Sequence, residues 1–200
     1  MAPPPAAGAA AAAAAALGGE PQATTLVKPL TRRGKRALEK RAPKLVEDAK
    51  RGLFLFGGAT SAVIKDVLTD LHKLKGSEAV KFTRKNDGVK PFEPGGESAL
   101  EFFSRKSNCS LFALGSHTKK RPHNLTLGRL FDFRLYDAIE LGVERHRAIK
   151  EFGGAASAQA GNKPAMLFVG ERFEGVPEFK LAKSLLLDFF RGLEVRGAPL

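Results

Sequence analysis

The chain reads as an α/β fold, on two observations. Short apolar runs stop at glycine and lead into stretches whose apolar residues recur every three to four positions, the strand-then-helix pattern of layered α/β proteins. The pattern also occurs twice: Leu53 to Phe56 before Gly57 and a helix stopping at Lys75-Gly76, then Met166 to Val169 before Gly170 and a helix stopping at Arg191-Gly192. Two hundred residues are enough for one substantial core.

The N-terminal segment comes before any of this. Residues 1–19 are Pro-rich and then Ala-rich, and the alanine run at 9–16 is shorter than the roughly 12–15 residues an isolated helix needs. The segment has no cationic start or strongly apolar middle, as a secretory signal would, and it lacks the Arg and Ser of a mitochondrial presequence. A disordered Ala/Pro-rich tail is expected over residues 1–27. Residues 28–51 form a basic arm: Arg32, Arg33, Lys35, Arg36, Lys40, Arg41, Lys44, Lys50 and Arg51 face only Glu39, Glu47 and Asp48. Pro43 interrupts any helix there, and apolar content is sparse, so the arm fits a surface or a ligand better than a core. A solvated linker is the plain alternative.

Leu53, Phe54, Leu55 and Phe56 then make a buried strand closed by Gly57-Gly58. Thr60 or Ser61 caps the next helix, in which Ile64, Val67, Leu68, Leu71 and Leu74 share a face opposite Lys65, Asp66, Asp70 and Lys73. A strand at 80–83 is followed by a polar loop at 84–96, a short helix at 97–106, a strand at 110–114 and another at 125–133. Leu135, Ile139 and Val143 predict a long helix from Arg134 to Glu151. A Gly/Ala/Ser loop at 153–163 leads to a strand at 165–169. Pro177 suits a first helical position, and Ala182, Leu185, Leu186, Phe189 and Phe190 form the buried stripe of that helix, with Asp188 on its solvent face.

Lys and Arg number 33 against 21 Asp and Glu, a net charge of +12, which favours a polyanionic partner: RNA, DNA or an anionic membrane surface. No apolar run approaches the roughly eighteen residues of a membrane span. Fifteen phenylalanines with one tyrosine and no tryptophan suit a core more than a stacking platform. Cys109 stands alone, which excludes an intrachain disulfide and a thiolate zinc cluster and fits a reducing compartment.

The segment most informative about function follows the strand at 110–114. Lys119, Lys120 and Arg121 are consecutive, flanked by His117 and His123, with Ser116 and Asn124 as neutral donors and Arg129 further on. Held between two buried strands, such cations form a fixed knob suited to a phosphate backbone. A solvated turn or an import signal is the alternative. Lys81, Arg84, Lys85, Asn86 and Lys90 form another basic cluster. Gly57-Gly58-Ala59-Thr60-Ser61 lacks the lysine of a nucleotide-binding phosphate loop. His72 and His146 have no ligand-spaced companion, and nothing completes a metal site around His117 and His123. The pairs Asp66 with Asp70 and Glu140 with Glu144 read as solvated helix faces. No nucleophile with a base can be named, so neither an enzyme nor a cofactor is expected.

Five segments carry a resemblance: Thr31-Arg32-Arg33-Gly34-Lys35-Arg36-Ala37-Leu38, Arg41-Ala42-Pro43-Lys44-Leu45-Val46-Glu47, Leu100-Glu101-Phe102-Phe103-Ser104-Arg105-Lys106, residues 115–132, and Leu185-Leu186-Leu187-Asp188-Phe189-Phe190-Arg191-Gly192. In order and at matching spacing, they make the chain resemble the Brix-domain ribosome assembly factors from about Lys28 to Gly192. The resemblance implies two related α/β halves, similar to an anticodon-binding fold, over residues 28–200. The second half is expected to be incomplete at its C-terminus, leaving a sheet edge unpaired. It further implies a non-enzymatic nucleolar factor of the large (60S) subunit, acting in rRNA maturation. Its implied partners are 5S rRNA and large-subunit pre-rRNA, the regulator of ribosome synthesis protein and the ribosomal proteins of the 5S particle. The knob and then the arm match family segments and are the expected RNA contacts. Two other readings stay open: a Brix protein acting at a different pre-rRNA site, and a protein-interaction module that does not touch RNA.

Overall fold

The computed structural model describes residues 29–42, 45, 49–152 and 164–191. The expected tail at 1–27, the arm residue Lys44 and the loop at 153–163 lie outside them. The chain divides into two units, 1–46 and 47–200. In the first, α1 (Arg32–Arg41) starts at Thr31, whose side chain accepts a hydrogen bond from the Gly34 N–H at 3.1 Å. It ends at Ala42, whose extended ψ of 148° is what a following proline demands.

The second unit is built on five strands: β1 (Gly52–Phe56), β2 (Ala79–Lys85), β3 (Leu111–Ser116), β4 (Asn124–Phe131) and β5 (Arg134–Gly142), in spatial order β2-β1-β3-β4-β5. β1 is buried along its whole length and runs parallel to both neighbours, whereas β3, β4 and β5 form an antiparallel meander. Helix α2 (Ala62–Lys75) links β1 to β2, and α3 (Ser98–Ser107) links β2 back to β3 on the other side of β1. Right-handed crossovers in opposite directions must cover opposite faces, and they do. Ile64 and Leu68 of α2 pack on Phe54, Phe56, Leu111 and Leu127, while Leu100 of α3 packs on Leu53, Leu55, Phe112 and Leu114. Gly128 is required by this packing: a Cβ there would sit 2.4 Å from the Phe112 ring.

The predicted helix over 134–151 is instead β5 followed by an extended stretch. Asp132 and Phe133 both adopt left-handed φ, 48° and 62°, and this two-residue turn returns the chain antiparallel onto β4. The register skips Tyr136, so Leu135 faces the α3 side and Ile139 the α2 side. Glu140 therefore lies on a strand, and His146 lies in no helix but 3.4 Å from Asp70. Asp70 also accepts the Ile149 N–H at 3.0 Å, so it anchors the chain after β5 rather than facing solvent.

The strand expected at 165–169 has no sheet partner among the described residues. It still alternates as a strand would: Met166 packs on the core and Phe168 on Phe173, while Leu167 and Val169 point outward. After the short α4 (Arg172–Gly175), helix α5 (Pro177–Phe190) carries the expected stripe, with Leu185, Phe189 and Phe190 buried beside α2 and the sheet. Lys75, at the end of α2, donates to the Phe189 carbonyl at 2.5 Å, placing a cation at the negative end of α5.

Asp188 differs from its expected role. It is not on a solvent face: it accepts from Arg129 at 2.8 Å and Lys50 at 2.9 Å, while Arg129 also binds Asp137 on β5 and Ser184 on α5. Burial pushes the Asp188 carboxyl up, but the hydrogen bonds from Arg129 and Lys50 outweigh it and hold the group below its ordinary value. Asp188→Ala should therefore cost about 1–3 kcal/mol in a urea titration near neutrality. A carboxyl lowered by folding stabilises above its unfolded value, so this difference should begin to shrink as the pH falls below about 4 and vanish only once the pH falls through the lowered folded value.

Cys109 lies 1% exposed beneath α3, and burial pushes its thiol up to about 11. Native protein should resist iodoacetamide at neutral pH, with alkylation rising only as urea unfolds the chain. Rapid labelling without denaturant would show this part of the core to be open.

Candidate nucleic-acid interface

The three parallel strands end together. Phe56 of β1 is level with Lys85 of β2 and Gly115 of β3, so the turns that follow share one end of the sheet with the start of β4. The chain leaves β1 for helix α2 on one face of the sheet, whereas β3 turns back into β4 within the sheet. With the loop at 87–93, these turns border a crevice at that end of the sheet.

The basic knob stands at this crevice. The Thr118 N–H donates to the Arg121 carbonyl at 3.1 Å, and the Arg121 N–H donates to Thr118 Oγ1 at 3.1 Å. This closed turn puts Lys119 and Lys120 at its tip, exposed and without an ion-pair partner among the described residues. The knob's base is tied down as well. The His117 N–H donates to the Ala59 carbonyl at 2.9 Å, and the His123 N–H donates to His117 Nδ1 at 3.1 Å. Nδ1 of His117 therefore carries no hydrogen. Ser61, the N-cap of α2, accepts from the Ile64 N–H and lies 2.7 Å from His123 Nδ1.

Ser61 with His123 is a hydroxyl–imidazole pair that sequence spacing did not reveal. Its geometry is that of a latch between α2 and the knob. A nucleophile's histidine is oriented by a carboxylate on its second nitrogen, and no carboxylate binds His123 among the described residues. Among those residues, also, no group of three or more His, Cys, Asp or Glu is placed to hold a metal ion. Among the described residues, no helix is long and apolar enough to cross a membrane.

The expected RNA contacts are brought together only in part. Arg121 joins the lysines at the knob but folds onto Glu140 at 2.6 Å. Asn124 is 6% exposed and donates to Glu140 at 3.0 Å, so it faces the sheet rather than the knob's tip. Arg84 and Lys85 are exposed at the end of β2, on the same end of the sheet as the knob. Lys81 instead bonds Thr69 on α2 at 2.8 Å. Arg129 is taken up in the Asp137–Asp188 cluster, whose hydrogen bonds hold its guanidinium firmly charged but turned to structural use. In the first unit, Arg32, Arg33, Lys35 and Arg36 are exposed on α1, and Lys40 and Arg41 fall in its last turn.

Behind the knob a cleft of about 300 Å³ opens, lined by Gly58, Asp87, Phe92, Thr118, Arg121, Thr126 and Glu140 among others. Asp87, Phe92 and Thr126 were not singled out from sequence. Asp87 and Phe92 fell in the stretch 84–96, which read as a polar loop carrying a basic cluster, and Glu140 opposite Thr126 follows from a strand pairing that was not foreseen.

Comparison with known proteins fits this architecture. The chain is 49% identical over 166 residues to the protein named Ribosome production factor 2 homolog in Arabidopsis thaliana, covering 82% of this chain and 53% of that one. The rice protein of the same name is 51% identical over 174 residues, covering 86% and 56%. The Saccharomyces cerevisiae protein named Ribosome biogenesis protein RPF2 is 44% identical over 167 residues, covering 83% and 47%. The chain thus spans about half the length of these relatives. The Brix domain model matches residues 57–199, from the glycine that ends β1 past the close of α5, and the chain accordingly belongs to the Brix-domain family.

Proposed function

We propose that the chain is a large-subunit ribosome assembly factor that grips rRNA by its phosphates and holds the 5S rRNA–protein particle against the pre-rRNA. The observation that carries this is the tied Thr118–Arg121 turn, which presents two unpaired lysines on a rigid base. Arg84 and Lys85 extend the cationic end of that sheet, and the exposed cations of α1 add a further surface. Contacts of this kind follow the A-form backbone and read shape rather than base order. The work is placement, with no bond made or broken. The relatives' names support a role in ribosome production. In the nucleolus its partners would be 5S rRNA, pre-rRNA, the regulator of ribosome synthesis protein and the ribosomal proteins of the 5S particle.

Co-expression with the regulator of ribosome synthesis protein, followed by size exclusion with 5S rRNA, tests this reading. Co-elution of both with the chain, reversed by heparin or high salt, is expected. A chain that forms the protein complex but retains no RNA at low salt would make it an interaction module instead.

A further inference from the structure

The cleft behind the knob is unsuited to a phosphate. Its cations are already paired, Lys90 with Glu93 at 2.9 Å and Arg121 with Glu140 at 2.6 Å, and Asp87 adds a third carboxylate. Two cations against three carboxylates repel an anion. The floor is polar where the rest of that sheet face is apolar. Leu53, Leu55, Phe112 and Leu130 pack beneath α3 and the loop beside it, but Thr126 and Asn124 on the same face of β4 turn toward the cleft.

These floor residues are largely buried, but each turns an unused polar atom to the cleft. Thr126 is 2% exposed, and its hydroxyl has no hydrogen-bond partner among the described residues. Asn124, 6% exposed, spends its N–H groups on Ser116 and Glu140, which fixes the amide orientation because a carboxylate only accepts; its carbonyl oxygen accepts nothing from the described residues. Both atoms open onto the cleft rather than being sealed beneath it, so they are placed to meet the polar edge of a ligand. Asp87 stands on the wall with both oxygens unbonded among the described residues, held so close to Gly58 that a Cβ there would lie 2.1 Å from its Oδ1. Phe92, 53% exposed, lines the rim, and Leu114 and Val89 supply apolar surface.

We propose that this cleft receives one unstacked nucleobase of a single-stranded or bulged RNA whose backbone lies on the knob, and that it favours guanine. This rests on the phosphate-binding reading above and extends it. A base is flat and apolar on its faces, matching Phe92 and Leu114, and bears donors and acceptors on its edge. Guanine presents adjacent N1–H and N2–H donors, which a carboxylate such as Asp87 accepts together, and its O6 can take the Thr126 hydroxyl. Phosphates stay outside on Lys119 and Lys120, which adjoin the cleft through Thr118 and Arg121.

The test uses short oligouridines carrying one central guanosine, adenosine or cytidine, or none, with affinity read by fluorescence anisotropy over a range of salt. The guanosine oligomer should bind roughly five- to a hundredfold more tightly than oligouridine. In Asp87→Asn and Phe92→Ala that ratio should fall toward one with an unchanged salt slope, because neither residue contacts phosphate. Both sit on an exposed loop, and circular dichroism should show the fold intact. Replacing Lys119 and Lys120 by alanine should do the opposite, flattening the slope and keeping the ratio. Equal affinity for all four oligomers overturns the base site and leaves phosphate binding standing. No binding of any oligomer at low salt overturns the RNA reading, and the base site with it.

Discussion

Changing Lys119, Lys120 and Arg121 together to alanine should flatten the dependence of log affinity for RNA on log salt by roughly two to three units, at about 0.7–0.9 per phosphate contact. The two lysines should account for most of this. They stand free at the tip of the turn, whereas Arg121 must leave Glu140 before it can reach a phosphate. The loss should be similar for RNAs of different sequence, since phosphate contacts carry no base information. The fold should survive, because the turn is closed through the backbone and Thr118; of the substituted side chains only Arg121 makes a tie, an exposed ion pair with Glu140 that contributes little. Salt titration of wild type and variant decides the matter. Coincident slopes, with only nuclear entry impaired, would make the knob an address label.

Phe189→Ala should remove about 3–5 kcal/mol of stability, a large part of the 5–15 kcal/mol of an ordinary domain. Phe189 is 2% exposed, meets the Phe54 ring edge-on at a centroid distance of 6.3 Å, and shares its cluster with Ile64 and Leu68. The cavity would therefore open where α2, α5 and the sheet meet. Leu187, 46% exposed on the same helix, is the control, and its alanine variant should change the urea midpoint little. Equal and small effects from both would mean that α5 is not docked on this face.

The buried strands and the amphipathic helices were legible because each rests on one unambiguous period. Leu53 to Phe56 is too short for a helix and is bounded by glycine, and Ile64, Leu68 and Leu71 fit only a helix. Arg134 to Glu151 was misread for a physical reason. Leu135 and Ile139 lie four apart, a spacing that suits a helix turn and a strand face alike, and the turn that decides between them holds Asp132 and Phe133 rather than glycine. Ala165 to Val169 has a strand's alternation, but alternation cannot tell whether a strand pairs with it, and among the described residues none does. At the candidate site, the cationic triplet was visible as composition. Its rigidity and the polar cleft behind it were not, because Ser61 with His123 and Thr126 with Glu140 meet only once distant segments have folded together.

The sheet's two kinds of pairing also imply an order of assembly. The β3–β4–β5 meander closes through short turns and can form from local encounters, whereas α5 reaches back across 114 residues of chain to bring the Phe189 carbonyl to Lys75. Contacts of such long separation are costly to establish early, so α5 is expected to dock after the barrier, which folding and unfolding rates of the Phe189→Ala variant check. Substitutions at its seam, Phe189 and Asp188 alike, will then hasten unfolding and leave the folding rate nearly unchanged, whereas a change at Gly128 within the meander will slow folding itself.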